Sequence, residues 1–133
     1  MIAAAAGGAD VAEAVAAGAA AAPRPDVRAG IEDAVASARG GAEDTAAYAG
    51  RVGRACHMKW CVPVAVHAML SGGGGFVGAV RASALAGGES CGRGLLIGAV
   101  MGAAVGVPAG WRLRAVAAAA GETAARAIAE KRA

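Results

Sequence analysis

The stretch Gly87–Gly106, GGESCGRGLLIGAVMGAAVG, places four evenly spaced glycines in an otherwise helical segment. Glycine occupies every fourth position from Gly94 to Gly106. Residues spaced by four lie on one face of an α-helix. A glycine inside a helix costs about 0.8–1 kcal/mol relative to alanine, so a helix over 90–105 needs a compensating contact. We therefore expect a neighbouring backbone to approach this glycine face closely.

Two interpretations of this helix compete. Small residues at every fourth position are typical of paired membrane helices, and the uncharged run 94–111 is near the minimum of about 17 residues for a span. Pro108, however, shortens the helix to roughly 14 residues, a length typical of a buried core helix. We expect a central helix of a soluble domain rather than a membrane span.

The rest of the chain also predicts helices. Helical patterns cover 10–22, 26–39, 58–71, 76–86 and 111–131, and 41–54 is interpreted as a connector or a weak helix. Asp26 is expected to cap the second helix, and Pro63 suits the first turn of the third. No segment alternates with period two. We predict an all-α domain of orthogonally packed helices, with an alanine-rich segment 1–54 and a C-terminal region 55–133.

Charge and composition exclude some classes of function. The net charge is only +3, and the arginines are scattered along the chain rather than gathered into a basic stripe, so we expect no nucleic-acid partner. The three cysteines form an odd set without a CxxC pair, which favours free thiols in a reducing compartment. The N-terminus lacks the basic region of a signal peptide. These features predict an intracellular, cytoplasmic protein.

The cysteines and histidines between residues 56 and 67 suggest a zinc site. Cys56, His57, Cys61 and His67 all have side chains that ligate zinc. Their spacings match no known finger or ribbon, and a helix would spread them over several faces. We expect no zinc.

The order of features between Cys56 and Arg114 resembles the C-terminal part of the ADP-ribosylglycohydrolase family. A Cys-His segment and a helix with proline come first, then the Gly-Gly-acid turn, the glycine-faced helix and the sequence VPAGW. Members of this family are all-α hydrolases that cleave ADP-ribose from modified proteins or small molecules with bound magnesium. The resemblance implies a truncated, divergent member with a partial version of that fold. It also implies magnesium as cofactor and ADP-ribose or an ADP-ribosylated substrate as partner.

The resemblance carries over to individual residues of the turn. Gly87 and Gly88 match the Gly-Gly pair of the family, and Glu89 occupies the position of its first metal-binding aspartate. The second aspartate position holds Cys91, and the hydroxyl position that follows holds Gly92. Magnesium prefers oxygen donors in octahedral geometry, and neither of these side chains supplies one. We therefore expect the hydrolysis of an ADP-ribosyl bond to be weak or absent.

The Asp-Asp-Thr metal motif of the family has its nearest likeness in the triplet Glu43-Asp44-Thr45. A triplet of this kind is also a common helix start. We interpret it as helix-start chemistry, and a relocated set of metal ligands is the alternative.

Ser90 and Arg93 are the candidate substrate-binding residues. Free N–H groups and the positive end of the helix dipole favour a phosphate near Ser90, although Ser90 or Glu89 can satisfy those donors as an ordinary cap. Arg93 is unfavourable for the dipole in the first turn, so we expect an acidic side chain or a phosphate beside it, with an ion pair preferred.

A non-catalytic function is the alternative to a hydrolase. The glycine face and the arginine-rich segments that flank it would suit a helical interaction module. Such a module would use the glycine face to bind a protein partner or a second copy of itself.

Overall fold

The computed structural model describes residues 1–73 and 75–130, and no strand occurs among them. The helices in these ranges are α1 (Ile2–Ala6), α2 (Val11–Ala20), α3 (Pro25–Gly40), α4 (Thr45–Val52), α5 (Met58–Ser71), α6 (Phe76–Leu85), α7 (Cys91–Val105), α8 (Ala109–Arg114) and α9 (Ala118–Glu130). The prediction of an all-α protein is confirmed. The division at residues 54 and 55 stays a prediction, and Lys131 lies outside the described residues.

Helix α5 lies at the centre of the molecule. It packs against α3, α4, α6 and α7, and every residue from Pro63 to Met69 is buried. The contact with α3 is close because Gly30 has no side chain: a Cβ atom there would lie 2.5 Å from Cγ of Pro63. The core therefore forms around one buried helix, with α3, α4, α6 and α7 packed on its sides.

Side-chain hydrogen bonds cap the starts of α2, α4 and α5. Asp10 accepts the backbone N–H of Glu13 at 2.8 Å and its own N–H binds the Glu13 carboxylate at 3.0 Å, which is a capping box. Asp44 accepts the N–H of Ala47 at 2.8 Å and starts α4. The segment 41–54 therefore contains a helix, and Asp44 has the helix-start role predicted for its triplet.

Two predicted helix starts are wrong. Asp26 does not cap α3, because the helix begins one residue earlier at Pro25, and its carboxylate pairs instead with Arg24 at 2.7 Å. Pro63 lies in the interior of α5 rather than in its first turn. His57 is the reason, since its Nδ1 accepts the N–H of Lys59 at 3.2 Å and starts the helix at Met58.

The predicted role of the glycine face in α7 is also wrong. A Cβ atom added at Gly94 or Gly98 would meet no atom within 4 Å, so no backbone approaches closely there. Gly106 lies beyond the helix and ends it with φ +80°. The residues of α7 that are buried are Arg93, Ile97, Val100 and Met101. The large apolar side chains, rather than the flat face, turn toward the core because they remove more apolar surface from water.

The C-terminal helices make few contacts with the rest of the described chain. The single helix predicted over 111–131 is two helices in the described part of that range, α8 and α9, which are separated by residues 115–117. Trp111 packs edge to face on Phe76 with ring centroids 5.6 Å apart, so α8 is attached to α6. In the described ranges, no helix is both long and apolar enough to cross a membrane.

Candidate functional site

The turn between α6 and α7 carries the residues that the sequence singled out. Gly87 and Gly88 have φ values of +69° and +70°, the left-handed conformation that favours glycine. A Cβ atom on Gly88 would lie 2.5 Å from both the Cβ and the carbonyl oxygen of Arg54. The backbone carbonyl of Arg54 accepts the N–H of Glu89 at 2.9 Å, and the side-chain Nε–H of Arg54 donates to the carbonyl of Ala86 at 2.8 Å. Arg54 and its backbone therefore hold the turn against the end of α6.

Glu89 uses both carboxylate oxygens within the chain. Oε1 accepts the backbone N–H of Gly92 at 2.6 Å, and Oε2 accepts the thiol of Cys61 at 3.4 Å. The bond from Gly92 is the main cause of a lowered pKa for Glu89. Burial, followed by the hydrogen bond to Glu89, raises the pKa of Cys61 to about 11. At neutral pH the site thus holds an ionised carboxylate and a protonated thiol.

Arg93 lies beneath the turn and is buried. Its Nε–H donates to Oγ of Ser83 at 3.2 Å, and Nη2 donates to the carbonyls of Ser83 at 3.1 Å and Gly87 at 2.6 Å. Burial lowers the pKa of Arg93, although an arginine remains charged in proteins. The ion pair expected for Arg93 is not formed, because its partners are neutral oxygens of α6 and of the turn.

Ser90 and Cys91 are exposed at the start of α7. Ser90 donates its hydroxyl to the carbonyl of Gly88 at 3.3 Å and makes no side-chain cap bond, so Glu89 supplies the cap. In the part of the chain that the structure describes, no three His, Cys, Asp or Glu side chains are grouped closely enough to hold a metal ion. The metal role of Glu89 and the substrate roles of Ser90 and Arg93 stay predictions.

A second polar cluster, which the sequence did not reveal, surrounds the buried His67. Nε2 lies 3.1 Å from Oγ of Ser37, and Nδ1 lies 3.1 Å from Oγ1 of Thr45 and 3.0 Å from Oγ of Ser71. These three hydroxyls come from α3, α4 and α5. The imidazole therefore joins three helices through one ring. The spacing of His67 and Ser71 by four residues was the only local signal.

The partners of Ser37 fix the tautomer of His67. Ser37 donates its hydroxyl to Oε1 of Glu43 at 2.8 Å, so its oxygen accepts the proton carried by Nε2 of His67. Nδ1 is then the acceptor that faces Thr45 and Ser71. A hydrogen bond from Arg51 lowers the pKa of Glu43 and keeps it ionised. The neutral imidazole thus satisfies both ring nitrogens without a charge.

Tyr48 covers the other side of this cluster. Its ring stacks on His67 with centroids 4.4 Å apart, and its hydroxyl donates to Asp33 at 2.9 Å. Arg51 pairs with Asp33 at 3.3 Å and with Glu43 at 2.7 Å. Glu43, Asp44, Thr45 and Ser71 also line a surface pocket of about 600 Å³. The predicted triplet is thereby split: Asp44 caps α4, and Thr45 is buried against His67.

The part of the chain that the structure describes is therefore an all-helical domain with a glycine turn, an acid at the end of that turn and a glycine-rich helix behind it. The chain matches the ADP-ribosylglycohydrolase family over residues 1–133, and it belongs to that family. The match extends beyond the region 56–114 in which the sequence motifs lie. No curated protein and no solved structure matches the chain.

Proposed function

We propose that this chain is an ADP-ribosylglycohydrolase-like protein that descends from magnesium-dependent hydrolases of the ADP-ribosyl bond and itself hydrolyses that bond weakly or not at all. Membership of the family over the whole chain supports the reaction class. The observation that carries the proposal of weak activity is the commitment of both Glu89 oxygens to Gly92 and Cys61.

The residues of the turn do not fit a magnesium ion. Magnesium prefers six oxygen ligands in near-octahedral geometry. Between Gly87 and Arg93 the only carboxylate is Glu89, and the thiol of Cys91 is a poor ligand for a hard cation. The positive charge of Arg93 also lies close enough to contribute to the lowered pKa of Glu89, and it would repel a dication. We therefore derive no reaction step through magnesium at this turn.

The same residues support a structural role for the turn. The guanidinium of Arg93 donates hydrogen bonds to carbonyls of α6 and of the turn. The carboxylate of Glu89 accepts the free backbone N–H of Gly92 in the first turn of α7. Internal partners therefore hold the loop in place. A site of this kind can keep an ancestral shape while it lacks the groups that activate water.

The test is an assay of ADP-ribose release from an ADP-ribosylated substrate with the purified chain, with magnesium and with chelator. We expect no release above the blank in either condition. Magnesium-dependent release that Glu89→Ala abolishes would show that the turn is a working metal site. A thermal melting curve recorded with ADP-ribose tests separately whether the chain binds the ligand of the family. Ligand at one hundred times its dissociation constant should stabilise the fold by about 2.7 kcal/mol, and an unmoved curve would argue against recognition of ADP-ribose.

The second candidate is a non-catalytic interaction module that uses the glycine face of α7. The observation that favours it is the open space over the N-terminal half of this face: a Cβ atom at Gly94 or Gly98 would meet no neighbouring atom, and the adjacent Leu95 is 74% exposed. Gly98→Leu should then leave the fold intact and weaken association, whereas Glu89→Ala should leave association unchanged. Size-exclusion chromatography of both variants with light scattering separates this candidate from the first. A Gly98→Leu variant that associates as the parent does would reject it.

A further inference from the structure

An open apolar groove runs between α2 and α3. Its volume is about 860 Å³, and its apolar lining includes Val15, Ala16, Ala19, Ile31, Val35 and Leu70. Apolar clefts of this size are typical of binding sites. We call this surface the α2–α3 groove.

One rim of the α2–α3 groove carries a row of charges. Arg28, Glu32 and Arg39 lie four and seven residues apart on α3. Because these spacings are close to whole turns, the three side chains form one stripe with the order plus, minus, plus. Arg28 is positioned by hydrogen bonds to the carbonyls of Ala20 at 3.2 Å and Ala22 at 3.1 Å. The rim therefore carries a net charge of +1 along a length of about 17 Å, at 1.5 Å per residue.

Helix α9 has the opposite pattern and packs appreciably against α8 alone among the described elements. Glu122, Arg126 and Glu130 are four residues apart and form a stripe with the order minus, plus, minus. The face beside this stripe contains the small, exposed residues Ala120, Ala124 and Ala127. At 13 residues, α9 is about 20 Å long, close to the length of the charged rim.

We propose that the α2–α3 groove binds α9 of a second copy of this chain. The small face of α9 would lie on the alanines and valines of the groove, and its charged stripe would lie along the rim of opposite sign. Glu122 already pairs with Arg112 at 3.2 Å, but an exposed pair of this kind contributes little and can be exchanged.

The position of α9 favours a second copy over the same chain. Helix α9 follows α8 after three residues, and Trp111 of α8 rests on Phe76 of α6. Helix α6 packs on α4, α5 and α7 and makes no appreciable contact with α2 or α3. The N-terminal end of α9 is therefore attached on the side of the molecule that lies away from the α2–α3 groove. Reciprocal exchange of α9 between two copies gives a closed, two-fold dimer and doubles the contact.

Analytical ultracentrifugation of the full chain under reducing conditions tests this dimer, since Cys56 and Cys91 are exposed. We expect a concentration-dependent dimer. Ala16→Glu in the groove and Ala124→Glu on α9 each place a charge in the apolar contact and should raise the dissociation constant at least about tenfold. The matched controls Ala17→Glu and Ala125→Glu change neighbouring exposed alanines outside the contact and should leave it unchanged. Circular dichroism of each variant checks that it is folded.

A charge exchange gives a second, independent readout. Arg126→Glu should weaken the dimer because it faces Glu32 across the rim, and adding Glu32→Arg should restore it. A chain that stays monomeric at all concentrations overturns the proposal. A dimer that is insensitive to Ala16→Glu and Ala124→Glu overturns it as well, and it would then form through another surface such as the glycine face of α7.

Discussion

Glu89 accepts the backbone N–H of Gly92 at 2.6 Å and so closes the first turn of α7. The bond gives the acid at the end of the glycine turn a local partner three residues further along the chain. A carboxylate near a helix N-terminus satisfies free N–H groups and interacts favourably with the helix dipole. This relationship gives the turn an internal hydrogen-bond acceptor and leads to the first prediction.

Replacement of Glu89 by alanine should lower the melting temperature by a few degrees, because the N–H of Gly92 loses its acceptor. Glu89→Gln should lower it less, since an amide oxygen can still accept. Melting curves followed by circular dichroism, with magnesium and with chelator, provide the measurement. Equal melting temperatures in the two conditions are expected, and a magnesium-dependent rise in the parent that both variants lose would contradict the structural role.

The two glycines of the turn should respond differently to alanine. Both have positive φ, which costs alanine about 1–2 kcal/mol, but only at Gly88 would the new Cβ atom collide with Arg54. Gly88→Ala should therefore reduce the free energy of unfolding considerably more than Gly87→Ala. Urea denaturation of the two variants measures the difference, and equal losses would mean that Arg54 does not clamp the turn.

Arg93→Met should destabilise the fold because it removes the donor for the carbonyls of Ser83 and Gly87. A buried acceptor that loses its partner costs about 1–3 kcal/mol. Arg93→Lys should recover only part of this loss, since an ammonium group cannot reproduce the geometry of the guanidinium donors. Chemical denaturation measures both variants. If lysine restores full stability, only the charge of Arg93 is required.

Stability should fall as the pH drops below the ordinary His67 pKa of 6.5. Burial lowers the pKa of His67 in the folded protein, so between that lower value and 6.5 the unfolded chain binds more protons. The charged groups facing the ring are Glu43, Arg51, Asp44 and Asp33. Equilibrium unfolding at several pH values should show this slope in the parent chain and a flatter one in His67→Gln. An identical pH profile in the two proteins would place the titration elsewhere.

Gly98→Ala should raise the free energy of unfolding by about 0.8–1 kcal/mol, because the new methyl group meets open space and alanine favours helix. The matched control is Gly30→Ala, also inside a helix, which should destabilise because its Cβ atom would lie 2.5 Å from Pro63. Thermal or urea unfolding compares the two. A loss of stability in Gly98→Ala would mean that this face is packed after all.

Local signals allowed most helices to be predicted, and the exceptions have physical causes. The ends of α3 and α5 follow from Gly41 and Gly72, which interrupt the helical pattern. Helix α4 was uncertain because only Tyr48 and Val52 give it large apolar residues, and its stability depends on contacts with α5. The candidate turn could be located from Gly87–Glu89, but the clamp by Arg54 could not, since it lies 34 positions before Gly88.

The helical class, the glycine turn and the lack of side-chain oxygen ligands at Cys91 and Gly92 could all be inferred from the sequence, because helix propensity, the left-handed φ of glycine and side-chain chemistry are local properties. Which face of α7 is buried depends instead on packing between helices. Ile97 and Met101 enter the core, whereas Gly98 faces outward, because apolar area gained from neighbouring helices outweighs the flatness of a glycine row. The cluster around His67 was likewise decided by tertiary structure, since its hydroxyls come from three helices that meet only when the chain is folded.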